Sequence, residues 1–317
     1  MSKSLPLSYG PDPDAEPLEF TGERFVPGVR GDIEVEHVHR YLFARQFVAD
    51  CDVLDIACGE GYGSSLLAGR ARSVTGVDID EAVIRRAAGV HIGPNVQFVV
   101  GRCTEIPLED NSFDVVVSFE TIEHISEHEA FVNEIRRVLR PGGVVIMSTP
   151  DPQTYLEGAT AENPFHVREM DRQEFIDLMA QQFGHARFGV QRCVTGSVLV
   201  PLDGESPMTT PGLHRLDSAA GLIHDDGKLA DRGVFLVGLA SDRPLPTIDW
   251  SLLDDPSFAL AEQVGLQHRV ASLEGSVMEY EVAMRKTLDE LQSVRRSLAV
   301  RVAARLGLIP RGSDTPP

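Results

Sequence analysis

The sequence predicts an α/β protein built on a doubly wound parallel sheet, and three observations favour this class. Short apolar runs alternate with helical stretches from residue 52 to residue 150, which is the order that a parallel sheet with crossover helices requires. The first run, 53–57, leads directly into Gly59, Gly61 and Gly63, a pattern typical of a buried strand, a tight loop and a helix start. With 317 residues and 42% hydrophobic content, the chain can bury a large core.

The apolar runs place the strands, and the segments between them place the helices. Five strands are predicted at residues 53–57, 73–77, 96–100, 114–118 and 143–148, and two further strand-like runs lie near 186–200 and 233–240. Helices are predicted at 34–48, 130–140 and 171–182, with Pro141-Gly-Gly ending the second of them. Residues 201–232 are rich in Gly, Pro and Asp, which predicts a loop insertion between the last two strands.

Composition divides the chain into five predicted parts. These are a loose arm at 1–20, the main domain at 21–245 with a lid at 21–50, a linker at 246–257, a coiled coil at 258–300 and a basic, disordered tail at 301–317. An apolar heptad from Leu266 to Leu298 indicates the coiled coil. Through residues 266–298 the chain would form a homo-oligomer or dock a partner; one long amphipathic helix packed on its own domain is the alternative.

Charge and cysteine content limit the partners and the compartment. The net charge of −19 argues against a broad nucleic-acid surface. The four cysteines lack CxxC spacing, which favours a reducing cytoplasm. Neither a membrane span nor a signal peptide is predicted, because the apolar runs are too short. The amphipathic stretch Arg295–Arg311 could lie at the inner face of a membrane, or it could be a solvated helix end.

The charges around the glycine loop favour a cationic ligand. Asp55 and Glu60 flank the loop, and no Lys or Arg lies between Asp50 and Arg70, so a pyrophosphate would find no compensating charge there. A ligand with an ammonium and a sulfonium, such as S-adenosyl-L-methionine (SAM), suits this charge. Asp78 ends the second predicted strand, 17 residues after Gly61, where an acid can bind both ribose hydroxyls; a turn or capping role is the alternative. Ile79 could pack on the purine.

Four motifs resemble those of class I SAM-dependent methyltransferases of the type 11/12-like kind. They are VLDIACGEGYG at 53–63, VTGVDID at 74–80, GRCTEIPLEDNSFDVVVSFETIEHI at 101–125 and LRPGGVVIMSTP at 139–150, within a resemblance that covers about residues 21–240. The resemblance implies a Rossmann-like, seven-stranded sheet. It also implies that Gly59 and Gly61 lie along the methionine part of SAM, Asp55 near its amino group and Asp78 at the ribose. The remaining implied SAM contacts are Ala57, Ile79, Cys103, Thr104 and Ser118, while Arg102 stands where the family often has an acid.

The fourth strand leads into a cluster of acids and histidines. Glu120, Glu123 and His124 have the spacing of one helix face, and two carboxylates with an imidazole make a plausible divalent-metal site. This ExxEH pattern with the later His166 resembles the metal-dependent O-methyltransferases of ubiquinone biosynthesis and of small-RNA 3′ ends. The resemblance implies that Mg²⁺ or another divalent metal binds to Glu120, Glu123, His124 and His166. Without a metal, His124 or His166 could act as general base, or the acids could be solvated helix charges.

The predicted function is transfer of a methyl group from SAM to a hydroxyl. The catalytic candidates are Glu120, His124 and His166. The GERF segment, the NPFHVRE loop and the coiled coil resemble methyltransferases of bacterial surface-polysaccharide and secondary-metabolite pathways, which implies a sugar, glycan or small-metabolite acceptor. The alternatives are N- or C-methylation without a metal, and a non-catalytic SAM-binding scaffold; the acids at the loop oppose a nicotinamide-dependent dehydrogenase. In the lid, Arg24 or Arg40 could meet the SAM carboxylate and Tyr41 could stack nearby.

Overall fold

The structure is a computed structural model, in which the chain divides into two compact units at 1–255 and 256–317. In the first unit it describes residues 25, 32–155, 163–194, 212–217, 222–248, 250, 251 and 253; in the second it describes only 284, 302, 303, 305 and 306. The predicted arm at 1–20 therefore lies outside the described residues, and so do the coiled coil and the tail apart from those five positions. Within the described residues, no helix is long and apolar enough to cross a membrane.

Seven strands form one mixed sheet, as the sequence predicts. They are β1 (Asp52–Ile56), β2 (Ser73–Asp78), β3 (Val96–Val100), β4 (Phe113–Phe119), β5 (Leu139–Pro150), β6 (His185–Gln191) and, after a separate hairpin of β7 (Gly212–Asp217) and β8 (Leu222–Lys228), β9 (Phe235–Ser241). Their order across the sheet is β3-β2-β1-β4-β5-β9-β6. All neighbours from β3 to β5 are parallel, whereas β9 runs antiparallel between β5 and β6.

Helices cover both faces of this sheet. They are α1 (Asp32–Ala44), α2 (Tyr62–Ala68), α3 (Glu81–Val90), α4 (His128–Val138), α5 (Pro152–Tyr155) and α6 (Arg172–Gln182), with short 3₁₀ helices at Ile122–His124 and Leu229–Arg232. Alternate residues of β4 belong to different cores, because successive strand side chains point to opposite faces. Val115 and Val117 pack with α1 and α2, whereas Val116 packs with α4 and α6.

Two sequence predictions about the last strands are corrected. The sixth strand ends at Gln191, since residues 192–194 are not in a strand and 195–200 lie outside the described residues. The insertion 201–232 is not only a loop, because it contains the β7–β8 hairpin. The sequences of the two strands, GLHRLD and LIHDDGK, do not alternate apolar and polar residues, so they lack the usual signal of a strand.

The segment after β9 packs against α1 and β6. The ring of Trp250 stacks on that of Phe43 with centroids 5.3 Å apart and an interplanar angle of 18°. A Cβ at Gly189 of β6 would collide with the same indole ring. Ser251 Oγ lies 2.9 Å from His39 Nε2. Residues 250 and 251 therefore hold the outer side of α1.

Candidate active site

The glycine loop after β1 is built from backbone conformations that favour glycine, but only one of its glycines faces open space. Gly59 and Gly61 have φ values of +52° and +75°, in the left-handed region that side chains disfavour. A Cβ at Gly61 would lie 2.6 Å from the ring of Phe98, and one at Gly63 would collide with the ring of Tyr41. A Cβ at Gly59 would meet nothing within 4 Å. Gly61 and Gly63 therefore serve internal packing, and Gly59 borders open space.

Asp55 is buried beneath this loop and connects β1 to the lid helix α1. Its carboxylate accepts hydrogen bonds from Ser64 Oγ at 2.6 Å and from the hydroxyl of Tyr41 at 3.1 Å. Burial raises the pKa of Asp55 to about 7, although these two hydrogen bonds oppose the rise. Tyr41 therefore binds the acid predicted to lie near the SAM amino group, a contact that the sequence analysis did not predict.

Asp78 shapes the loop as well as ending β2. One of its oxygens accepts a hydrogen bond from the backbone N–H of Gly59 at 3.0 Å, and the other accepts one from Asp80 N–H at 3.0 Å. A carboxylate has about four lone-pair sites, so Asp78 can still accept bonds from a ligand. Ile79, directly after it, is 60% exposed, which leaves its side chain available for contact.

The loop is less acidic than the sequence suggests. Arg86 of α3 forms an ion pair with Glu60 at 3.0 Å, and Glu60 is buried. No Lys or Arg lies in the loop itself, but a helix farther along the chain supplies a guanidinium that compensates the charge of Glu60. With the pKa of Asp55 near 7, the charge argument that opposes a nucleotide is weaker than it was from the sequence.

The other predicted SAM contacts lie at the carboxyl ends of neighbouring strands. Ala57 follows β1 with φ +57°, and Ser118 of β4 is the register partner of Ile56. Ser118 is buried, and its hydroxyl has no hydrogen-bond partner among the described residues. Cys103 and Thr104 lie in the turn after β3, which Gly101 fixes by donating its N–H to Asp78 O at 2.9 Å. The predicted contacts thus share one edge of the sheet.

Glu120 is not on the helix face that its spacing predicts. It has φ +50° and precedes the 3₁₀ helix Ile122–His124, because β4 continues through Phe119. Its carboxylate accepts a hydrogen bond from Ser148 Oγ at 2.6 Å and forms an ion pair with Arg40 at 3.2 Å. Arg40 and Ser148 therefore hold Glu120, and it is not one of the three residues that converge beyond β4.

Those three residues are Glu123, His124 and His166, whose ligand atoms lie within 4.8 Å of one another. The segment that carries His166 is attached to the 3₁₀ helix, since Val167 and Arg168 both donate their N–H to Glu123 O, at 2.9 and 3.1 Å. These contacts bring the segment after β5 back to the residues that follow β4. Within the described residues, this is the one group of three or more such side chains close enough to share a metal ion.

Hydrogen bonds select the tautomer of each histidine. His124 Nδ1 lies 3.0 Å from Phe165 O, and since a carbonyl can only accept, Nε2 is the basic nitrogen of neutral His124. His166 Nδ1 lies 2.5 Å from a carboxylate oxygen of Glu169, and its Nε2 lies 3.0 Å from Asn163 Nδ2. The two imidazole rings are 5.2 Å apart in an edge-to-face arrangement. Both neutral histidines therefore carry their proton on Nδ1. Nε2 of His124 is a proton acceptor or ligand, whereas Nε2 of His166 accepts a hydrogen bond from the Asn163 amide, which would have to turn away before that nitrogen binds a metal.

Glu123 is the acidic member of this group and is only 1% exposed. Burial, and next the charge of Glu120, raise its pKa well above the ordinary range. Thr149 Oγ1 donates a hydrogen bond to it at 3.3 Å. A cation beside this buried carboxyl would favour its charged form.

Arg40 is the main residue at this edge whose surroundings sequence reasoning missed. Its side chain is 1% exposed, its Nε donates to Gln191 Oε1 at 2.6 Å, and its guanidinium lies 4.3 Å from the centre of the Phe235 ring. Partial burial raises the pKa of Glu36, one turn earlier in α1, to about 7. In the sequence, Glu36 and Arg40 are two charged residues of an amphipathic helix, and this pattern does not reveal that Arg40 is buried.

Comparison with known proteins identifies the family. Residues 54–147 match a family model described as a methyltransferase domain. A relative from Mycolicibacterium smegmatis, named as an S-adenosylmethionine-dependent methyltransferase, is 43% identical over 174 residues, which are 53% of this chain and 67% of the relative. A Mycobacterium tuberculosis protein with the same description is 41% identical over 167 residues, 51% of this chain and 60% of that protein.

Two further comparisons concern substrate names and the fold. Phthiotriol/phenolphthiotriol dimycocerosates methyltransferase 1 of Mycobacterium ulcerans is 34% identical over 177 residues, 54% of this chain and 62% of that protein. A chain from the complex of the Haloferax volcanii Trm112 methyltransferase activator with a methyltransferase superposes with a TM-score of 0.50 at 16% identity, over 66% of this chain and 91% of that one. The latter shows the fold alone. The chain spans 60 to 67% of the length of the three curated relatives.

Proposed function

Because this chain belongs to the class I SAM-dependent methyltransferases, we propose that it methylates a hydroxyl group of a sugar, glycan or small-metabolite acceptor. The convergence of Glu123, His124 and His166 beyond the end of β4 carries this proposal. A hydroxyl is a weak nucleophile at neutral pH, so its methylation requires a group that removes or polarises its proton. This cluster offers such groups beside the strand ends.

The residues that would hold SAM lie along the edge formed by β1, β2, β3 and β4. They are Asp55, Ala57, Gly59, Gly61, Asp78, Ile79, Cys103, Thr104 and Ser118. Open space at Gly59 supports this assignment, because a ligand can approach the backbone there. SAM supplies the methyl group on a positively charged sulfur, which makes that carbon an electrophile. Asp78, already bonded to Gly59 N–H, would orient the ribose.

The chain's own proton acceptor would be His124. Its Nε2 is the basic nitrogen, and the Nδ1 contact with Phe165 O holds the ring in that tautomer. The proton of the acceptor hydroxyl would pass to this nitrogen as the oxygen attacks the methyl carbon. His166, fixed by Glu169, would stand next to it as the second imidazole.

The same three residues also suit a divalent metal. Two ligands that are each about 2.1 Å from one ion lie at most about 4.2 Å apart, so the group, within 4.8 Å, needs only a small side-chain adjustment. Glu169 would orient His166 as a carboxylate orients a metal-bound imidazole. One carboxylate with two imidazoles favours Zn²⁺, Fe²⁺ or Ni²⁺ over Mg²⁺, and Glu120, held by Arg40, is not in the set. A bound metal would lower the pKa of the acceptor hydroxyl.

The choice of an oxygen acceptor has support from a relative. The Mycobacterium ulcerans protein is named for dimycocerosates, that is diesters, of phthiotriol and phenolphthiotriol, so one hydroxyl of each triol is not esterified. Composition favours a sugar or small metabolite over RNA, because the net charge is −19. A protein that binds SAM without turnover would have no need of this cluster.

The test takes the acceptor from a strain in which the gene for this protein has been deleted, here called the deletion strain. A solvent extract of that strain is incubated with the purified protein and SAM carrying a deuterated methyl group, and mass spectrometry with fragmentation locates the label. We expect label on oxygen in one compound. His124→Gln should reduce its formation at least about 100-fold, whereas the matched change His128→Gln, in α4 outside the cluster, should not. Label on nitrogen or carbon, or binding of SAM without any labelled compound, would contradict the proposal.

Chelation separates the two ways of activating the hydroxyl. The protein is treated with a chelator, dialysed and assayed again, with Mg²⁺, Mn²⁺, Zn²⁺ or Ni²⁺ added back singly. Loss of label transfer that one of these ions restores supports the metal. Full activity after verified removal of metal leaves His124 as the base.

A further inference from the structure

Arg40 belongs to α1 in the sequence but lies at the carboxyl ends of strands on one half of the sheet. It contacts Glu120 directly after β4, Gln191 at the end of β6 and Phe235 at the start of the antiparallel β9. The residues assigned to SAM lie instead at the ends of β1, β2 and β3 and on the adjoining side of β4. Arg40 is therefore on the half of the site that remains for the acceptor.

The guanidinium of Arg40 has more donors than the described residues satisfy. It carries five N–H groups, of which the Nε–H donates to Gln191 Oε1. Neither Nη1 nor Nη2 donates a hydrogen bond to any residue that the structure describes, although both are buried. The ion pair with Glu120 supplies attraction at 3.2 Å but no aligned hydrogen bond. Buried donors without an acceptor are costly, which points to an oxygen of a ligand.

The next residue of α1 argues for a ligand other than SAM. Successive helix residues point about 100° apart, and the Tyr41 hydroxyl donates to Asp55, on the cofactor half. Arg40 thus points to the other half, and the expectation that it meets the SAM carboxylate is not supported by its contacts. One helix places a residue in each half of the site.

The charges around Arg40 favour a neutral ligand group over an anion. Glu120 forms its ion pair, and Glu36 lies one turn away on the same helix and interacts with it electrostatically. One guanidinium beside two carboxyl groups leaves no net positive charge for a phosphate or carboxylate. A hydroxyl matches the arrangement, since its oxygen can accept from Arg40 and its hydrogen can be donated to Glu120.

We propose that Arg40 and Glu120 bind a second hydroxyl group of the acceptor, so that the substrate is a polyol such as a sugar ring or a diol. This inference rests on the proposed function. Arg40 would be a specificity-determining residue that recognises the acceptor, while the Glu123–His124–His166 cluster acts on the hydroxyl that becomes methylated. A compound with a single hydroxyl would leave the buried donors of Arg40 without an acceptor and would be rejected.

The test compares Arg40→Met, which keeps a long apolar side chain over Phe235, with the matched control Arg45→Met at another buried arginine just after α1. Affinity for S-adenosylhomocysteine is measured by calorimetry, and label transfer to the deletion-strain extract by mass spectrometry. We expect Arg40→Met to bind S-adenosylhomocysteine within twofold of wild type and to lose label transfer about 10- to 100-fold. Arg40→Lys should recover part of the transfer, and Arg45→Met should resemble wild type.

Three outcomes overturn this inference. The first is a tenfold loss of S-adenosylhomocysteine affinity in Arg40→Met, which would assign the residue to the cofactor half. The second is label transfer equal to wild type. The third is a labelled product that carries no hydroxyl group in addition to the oxygen that was methylated. If the single variant does not fold, Arg40→Met with Glu120→Gln removes both buried charges and is expected to give the same loss. Absence of transfer by wild type would instead refute the proposed function.

Discussion

Replacing Asp55 with Asn should change how stability depends on pH. Burial raises the pKa of Asp55 from an ordinary 3.8 to about 7, so the folded protein keeps a proton that the unfolded chain releases between these values. Stability is therefore lost as pH rises through this window, and the loss is complete above pH 7. A difference of about 3 pH units, at 1.36 kcal/mol each, corresponds to about 4 kcal/mol.

The measurement is the free energy of unfolding of wild type and Asp55→Asn, without SAM, at pH 5 and pH 8. Between pH 5 and pH 8 the titration of Asp55 should lower the free energy of unfolding of wild type by about 3 kcal/mol. The variant lacks this carboxyl, so its free energy of unfolding should rise by that amount relative to wild type over the same range. For a domain of this size the gain corresponds to about 6–12 °C in melting temperature. Any hydrogen bond that the Asn side chain fails to make changes the free energy of unfolding equally at both pH values. The change between pH 5 and pH 8 therefore reports only the titration of Asp55.

Asp52→Asn is the matched control, because Asp52 lies on the same strand but pairs with Arg72. The side-chain hydrogen bond with Arg72 lowers the pKa of Asp52, so this carboxyl is ionised in both the folded and the unfolded chain at pH 5 and pH 8. The difference in free energy of unfolding between Asp52→Asn and wild type should therefore stay constant over that range. If the Asp55→Asn difference is constant too, Asp55 is ionised in the folded protein and the reasoning from its burial is refuted.

Three other predictions concern the glycine loop, the Tyr41–Asp55 hydrogen bond and the Glu123–His124–His166 cluster. Gly59→Ala should lower stability by about 1 kcal/mol because of its positive φ, and it should lower SAM affinity, measured by calorimetry, at least tenfold. Gly61→Ala should be more destabilising because its Cβ would collide with Phe98. If Gly59→Ala binds SAM as tightly as wild type, the argument from open space at Gly59 is contradicted. Tyr41→Phe should lose about 1–3 kcal/mol in chemical denaturation by leaving buried Asp55 with one hydrogen bond fewer, and an unchanged midpoint would contradict that contact. Zn²⁺ should raise the melting temperature of wild type but not of His166→Gln, and an equal rise in both would exclude the cluster as the binding site.

The strands were predictable because their signal is local. A strand buried on both faces of a parallel sheet is a short continuous apolar run, and β1, β2, β4 and the second half of β5 are buried in this way. β3 is a partly exposed edge strand, but its run is apolar apart from Gln97. The β7–β8 hairpin was missed because its two strands, GLHRLD and LIHDDGK, lack the alternation of apolar and polar residues that identifies a strand. The coiled coil at 258–300 stays a prediction.

The site was predictable only where one motif supplies it. The loop from Asp55 to Gly61 and the acid Asp78 follow directly from the pattern of residues. Glu120 was misjudged because spacing assumes a helix, while a single left-handed residue ends β4 and turns the side chain toward Arg40. The Glu60–Arg86 pair joins residues on different elements, which no local pattern can detect. Burial and long-range pairing are properties of the folded chain.

The stack of Trp250 on Phe43 has a practical consequence for where the protein can be shortened. A version cut after residue 245, the bound suggested by composition, would remove this indole and the hydroxyl that meets His39. The helix that carries Arg40 and Tyr41 would then lose its outer support, and low activity of such a fragment would say little about the missing C-terminal unit. Ending the fragment after residue 253 keeps both contacts and makes that comparison meaningful.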